Sequence, residues 1–85
     1  MQTFTHVIQD PMGLHARPAG LLVKVAGKLP CAVTLATENG KADAKRIMAV
    51  MRLAAKQGAE LTVTCDGEGE EAAAAELKNF MVENL

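Results

Sequence analysis

A chain of 85 residues with a formal net charge of −1 has the length of one domain, and its charge argues against a general nucleic-acid binder. Apolar residues make up 49% of it, yet only Phe4 and Phe80 are aromatic, so the core falls to Leu, Val, Ile, Met and Ala. No apolar stretch approaches the about 20 residues of a membrane-spanning helix, and residues 1–10 lack the basic-then-apolar order of a signal peptide; the expectation is a cytoplasmic protein with no direct membrane insertion.

Residues 3–8 (TFTHVI) mix β-branched and apolar side chains and predict a strand. Asp10-Pro11-Met12-Gly13 is turn chemistry. A helix is expected over residues 16–28, where Ala19, Leu22, Ala26 and Leu29 recur at helical spacing with Val23 beside them; Gly27 and Pro30 end it. Residues 31–37 predict a second strand. Asn39-Gly40 is a strong hairpin signal, pairing it with a short third strand over residues 41–44.

Residues 46–54 predict a short helix with an unusual wheel. Ile47, Met48 and Met51 share an arc of roughly 100°, while Ala49, Val50 and Leu53 occupy much of the opposite side. A helix apolar on two sides is either buried all round or shows one side to a partner. In so small a domain the second is expected, and exposed methionines suit a surface that fits several partners. After a Gln57-Gly58 turn, Leu61 and Val63 alternate in a strand over residues 60–65. Asp66-Gly67 turns again into a last helix over residues 70–84, with a stripe of Ala73, Leu77, Phe80, Met81 and Leu85 and with Glu70 and Glu71 in its first turn, where acids favour the dipole. The order β-α-β-β-α-β-α is an α+β pattern: helices on one face of a sheet whose other face is partly solvated.

Every Lys and Arg except Lys78 lies between Arg17 and Lys56, where only Glu38 and Asp43 oppose them; the rest of the chain is acidic. The basic stretch is either a set of solvated faces or a patch that steers an acidic partner protein. Cys31 and Cys65 lie in strand-like runs with no CxxC spacing and no nearby His, so ordinary reduced thiols, buried or half-buried, are expected and no metal site. His6 reads as a strand residue. The Glu68–Glu71 cluster reads as helix N-terminal charge, and no nucleotide-binding GxxxxGK[ST] loop is present.

The chemistry concentrates at residues 13–18, Gly-Leu-His-Ala-Arg-Pro, where the first turn becomes the first helix. Gly13 permits a sharp turn. Pro18 fits the first helical turn, where a missing N–H is tolerated. His15 then falls at or beside the N-cap, and the free backbone N–H groups of Ala16 and Arg17 form an anion-attracting helix start. The guanidinium of Arg17 adds a fork for two phosphate oxygens. On these residues alone, His15 is either an ordinary polar cap or an exposed nucleophile, and an imidazole is largely neutral near pH 7, as a nucleophile must be.

The segment GLHARPAGLLVK resembles the active-site signature of the histidine-containing phosphocarrier (HPr) family of the bacterial sugar phosphotransferase system. The likeness extends over the chain through its length, element order, the Asn39-Gly40-Lys41 turn, the Ile47–Met51 segment and the Gln57-Gly58 turn. It implies a single domain over residues 1–85 with the family's open-faced β-sandwich, a four-stranded antiparallel sheet with three helices on one face. It implies a phosphocarrier and not an enzyme, without cofactor or metal. Enzyme I would phosphorylate His15 at Nδ1, and His15 would pass the group to the A domains of enzyme II sugar permeases. Arg17 matches the phosphate-neutralising arginine, with Ala16 (through its N–H) and Pro18 completing the binding site. Ile47, Met48 and Met51 match the partner-docking surface; Lys24, Arg52, Lys28 and Lys45 are candidates for its rim, with solvation alone the simpler reading of each. A monomer is expected.

Three positions depart from the family's pattern. Arg46 stands where kinase-regulated members carry Ser, and the chain contains no serine. Met12 stands where many members have a small polar residue, and Ala54 where glycine is common. Two other functions compete: a regulatory HPr-like binding protein, against which the retained His15 and the absent serine argue, and a carrier in a specialised, non-sugar relay. An independent enzyme is disfavoured, because the chain offers one nucleophile and no general-base pair.

Overall fold

The computed structural model describes residues 1–85. Seven elements follow in order: β1 (Gln2–Val7), α1 (Ala16–Gly27), β2 (Ala32–Thr37), β3 (Gly40–Asp43), α2 (Ile47–Arg52), β4 (Glu60–Asp66) and α3 (Glu70–Asn84). The strands form one antiparallel sheet in the order β1-β4-β2-β3. The chain thus crosses over twice and places its first and fourth strands side by side, with Phe4 opposite Val63 and His6 opposite Leu61.

Period-two alternation decides which face is covered. Val33, Leu35, Leu61, Val63 and Cys65 are buried, while Ala32, Thr34, Thr62 and Thr64 between them remain at least partly accessible. The helices supply the other half of the core: Ala19, Leu22 and Ala26 from α1, Val50 from α2, and Ala73, Leu77 and Met81 from α3. Twenty buried apolar residues form one cluster, with Phe4 and Phe80 packed against its edge. The expected aliphatic core and the expected stripes of α1 and α3 are both present. Leu29, beyond the end of α1, is half-buried.

Element boundaries depart from expectation by one or two residues. The hairpin between β2 and β3 closes at Thr37–Gly40, so its loop is Glu38-Asn39 and not Asn39-Gly40. Asn39 is committed elsewhere: its Nδ2 donates to Leu53 O at 2.9 Å. That bond takes up a carbonyl at the end of α2, which stops at Arg52, two residues early, and Ala54 turns to φ 50°. Arg46 is the N-cap of α2 and not its first helical residue. Cys31 lies just outside β2, since the last pair of that ladder is Ala32–Asp66 before Gly67 turns away at φ 131°. Ile8 lies just outside β1 but is buried.

Both cysteines are buried and form no disulfide. Burial, and then the nearby Cys31, push the Cys65 thiol up to about 11. The N-cap of α3 is Gly69, which has no side chain to cap with; Glu70 reaches back instead, its Oε1 accepting from Gly67 N–H at 3.1 Å while Oε2 pairs with the Met1 amine. These contacts hold the Glu70 carboxyl below the usual range, the amine first and the Gly67 N–H second.

Candidate functional site

Residues 10–15 form a loop whose shape is set by backbone hydrogen bonds. Asp10 makes an Asx turn, its Oδ1 accepting from Met12 N–H at 2.8 Å, and its carbonyl accepts from Gly13 N–H at 2.9 Å. The C-terminal residue holds the start of the loop: Leu85 O accepts from Gln9 N–H and, at 3.1 Å, from Asp10 N–H. On the other side, Leu14 N–H donates to Ala55 O at 2.8 Å. Gly13 turns at φ 69°, and a Cβ on it would stand 2.4 Å from Ala55 O and 2.8 Å from Lys56 Cα, both backbone atoms. No other residue fits without moving the segment that follows α2.

This loop delivers His15 to the N-cap of α1. Its backbone is extended (φ −89°, ψ −178°), and its carbonyl accepts the first helical bond, from Ala19 N–H at 3.0 Å. The side chain makes no capping hydrogen bond. The N–H groups of Ala16 and Arg17 precede the helical ladder and have no intrahelical acceptor. Pro18 occupies the third helical position, where the proline nitrogen removes a donor that would be unpaired anyway. Ala16 and Arg17 are exposed, Pro18 is buried, and the His15 side chain is 30% exposed. The helix start is therefore an accessible set of N–H donors beside an imidazole, with the guanidinium of Arg17 on the same first turn.

One partner of His15 was not evident from the sequence. Its Nε2 lies 3.6 Å from Asp10 Oδ2. The sequence marks Asp10 only as a turn residue; the available signal was that an Asx turn uses one carboxylate oxygen and leaves the other free. The Met12 side chain, 73% exposed, offers no polar atom able to replace such a contact.

The second expected feature is the two-sided helix. Val50 and Leu53 are buried, whereas Ile47, Met48 and Met51 are 39%, 65% and 36% exposed. α2 packs against α1, and the segment leaving α2 carries the Ala55 carbonyl that holds Leu14, so the end of α2 adjoins the His15 loop. Met12 and Leu21 add exposed apolar side chains that the helical wheel did not single out. Lys24, Lys28 and Arg52 are exposed, as rim residues must be. Lys45 is different: its Nζ donates to Leu29 O at 2.9 Å and ties the chain after β3 to the end of α1, so it is not simply a solvated side chain. His6 Nε2 is buried without a hydrogen-bond partner, consistent with a strand residue. A surface depression between residues 36–39 and 54–60 does not include His15. No three His, Cys, Asp or Glu side chains cluster as ligands for a metal ion.

Comparison with known proteins agrees with the geometry. Residues 2–83 match the family model described as PTS HPr component phosphorylation site. The chain is 40% identical over 83 residues to the phosphocarrier protein HPr of Lysinibacillus sphaericus, covering 98% of this chain and 94% of that one. Among solved structures it is similar to a Mycoplasma histidine-containing phosphocarrier protein, with a TM-score of 0.93 and 36% identity over 96% of this chain and 93% of that one. It is also similar to an HPr dimer from Thermoanaerobacter tengcongensis, with a TM-score of 0.76 and 35% identity over 98% and 95%. With its sheet order, its histidine at the start of the first helix and these relatives in agreement, the chain belongs to the HPr family of phosphocarrier proteins of the phosphotransferase system.

Proposed function

We propose that His15 accepts a phosphoryl group from phospho-enzyme I and hands it to the A domains of enzyme II sugar permeases. The observation that carries this reading is the placement of His15: an imidazole at the N-cap of a twelve-residue helix, not engaged in capping, beside the N–H groups of the exposed residues Ala16 and Arg17. In the transfer, Nδ1 forms a bond to phosphorus as the bond to the donor's leaving atom breaks, and that atom keeps the electron pair. The helix start and the Arg17 guanidinium meet the phosphoryl oxygens. A shallow, partly wet site keeps the product from being held too tightly for onward transfer. Ile47, Met48 and Met51 supply the docking face, and Lys24 and Arg52 its basic rim.

The same reading makes the protein a cytoplasmic monomer. Sedimentation would check the monomer; a stable dimer at micromolar concentration would contradict it. Arg46 puts a permanent positive charge at an exposed N-cap where a serine could have been phosphorylated, so control by an ATP-dependent HPr kinase is absent. Stable phosphate incorporation from such a kinase and ATP would refute that.

The decisive experiment mixes the protein with phosphoenolpyruvate, Mg²⁺ and enzyme I from the same organism and follows intact mass. The expected result is one acid-labile, alkali-stable phosphoryl group, absent from His15→Ala. A folded protein that takes up none, with enzyme I active on another carrier, would overturn the reading.

A further inference from the structure

Asp10 is held by three hydrogen bonds, two through its backbone and one through its carboxylate, before its side chain meets His15. Its backbone N–H donates to Leu85 O, its carbonyl accepts from Gly13 N–H, and its Oδ1 accepts from Met12 N–H. What remains is Oδ2, directed at His15 Nε2 at 3.6 Å, with both side chains about 70% covered (30% and 27% exposed). That separation is longer than a hydrogen bond, and a small rotation of the ring closes it; such contacts are often long before the reaction and tighten during it. A carboxylate beside one ring nitrogen fixes which nitrogen carries the proton.

We propose that Asp10 is a positioning residue for His15. Its Oδ2 accepts from Nε2–H, which holds the imidazole in the tautomer whose lone pair is on Nδ1, and it directs the phosphoryl group to that nitrogen. This rests on the reading of His15 as phosphoryl acceptor and adds the device that selects the reacting atom. Two physical effects act together. A ring protonated at Nε2 has its only lone pair at Nδ1. A phosphoryl group on Nε2 would also bring its oxygens against the Asp10 carboxylate, and like charges at such a distance repel. When Nδ1 attacks, no proton has to leave. The N–P bond forms, the donor's leaving atom departs with its electron pair, and the ring, now substituted at Nδ1 and protonated at Nε2, is an imidazolium. Asp10 is its counter-ion until the phosphoryl group moves on and the positive charge disappears.

Asp10→Asn separates charge from anchoring. Met12 N–H still needs an acceptor, so the amide oxygen faces Met12 and the NH₂ faces His15 Nε2. A donor in that place favours the opposite tautomer. In ¹⁵N-labelled protein above pH 8, the ring of the unsubstituted protein is expected to show protonated Nε2 and a pyridine-like Nδ1. In Asp10→Asn the proton moves toward Nδ1, the rate of phosphoryl acceptance falls about ten- to a hundredfold, and the KM for the donor protein changes little. In Asp10→Ala, ³¹P spectra of the phosphorylated protein are expected to include product at Nε2. A ring spectrum unchanged in Asp10→Asn would overturn the proposal, as would phosphorylation confined to Nδ1 at full rate in both variants. The ring spectra need no phosphoryl donor, so they judge Asp10 even if the protein accepts no phosphoryl group from enzyme I.

Discussion

Ala54 has positive φ (50°) without being glycine, and it follows the Leu53 carbonyl that Asn39 holds. The left-handed region costs an L-residue about 1–2 kcal/mol, partly offset by the smaller chain entropy of alanine when unfolded. Ala54→Gly is therefore expected to stabilise the protein by about 0.5–1 kcal/mol, which in a domain this size raises Tm by about 4–8 °C per kcal/mol. Calorimetry checks it; a lower Tm would mean that the strain is already relieved elsewhere. The sequence marked Ala54 only by its departure from a family pattern. The φ angle explains the departure: glycine suits this position, and alanine is tolerated. Gly13 is the opposite case, because there the obstacle is backbone atoms and not only φ. Its need for glycine was legible as a turn, but the carbonyl of Ala55 that forbids a side chain was not.

At the level of elements, α2 shows how far a helical wheel can be read. The two apolar arcs were visible in the sequence, and the fold buries one through Val50 and leaves Met48 65% exposed on the other. Because Met48 contacts little of its own protein, Met48→Glu is expected to change stability by no more than about 0.5 kcal/mol. It is also expected to raise the KM for phosphoryl transfer from enzyme I at least about fivefold, as the loss of an apolar anchor at an interface does. Transfer kinetics and a thermal melt on the same variant separate the two effects. A large fall in Tm with unchanged KM would place Met48 in the core and not in a docking face. The ends of α2 were less legible than its faces, because Asn39, fourteen residues away, decides where the helix stops.

For the whole molecule, the covered face of the sheet and the helices share one apolar interior with no fully buried charged side chain. Cys65 is the titratable group most affected by it, raised from 9.0 to about 11 by burial first and by Cys31 next. The neutral thiol is favoured in the folded state. Its contribution to stability is thus complete below about pH 9 and is lost as pH rises through about 11. Cys65→Val keeps the apolar volume and removes the ionisation. The stability of the wild-type protein relative to this variant should fall between pH 9 and 11 and stay flat below pH 8. Denaturant titrations at several pH values would show it, and a constant difference throughout would contradict the burial argument.

Local chemistry was enough to place the seven elements, the histidine at a helix start, the proline inside the first turn and the two faces of α2. Each depends on neighbours within a few residues, where periodicity, caps and turn residues act. The order β1-β4-β2-β3, the close packing of Gly13 on Ala55 and the early end of α2 required the folded chain, because they depend on groups far apart in sequence. Asp10 stands between these classes. It is five residues from His15, close enough to be suspected, but the direction of its free carboxylate oxygen is set by Leu85 at the far end of the chain as well as by Met12 and Gly13 next to it. Local sequence determined which residue could be a nucleophile; only tertiary structure decided that a carboxylate stands against one of its two ring nitrogens, because the contact depends on how the loop before α1 is held.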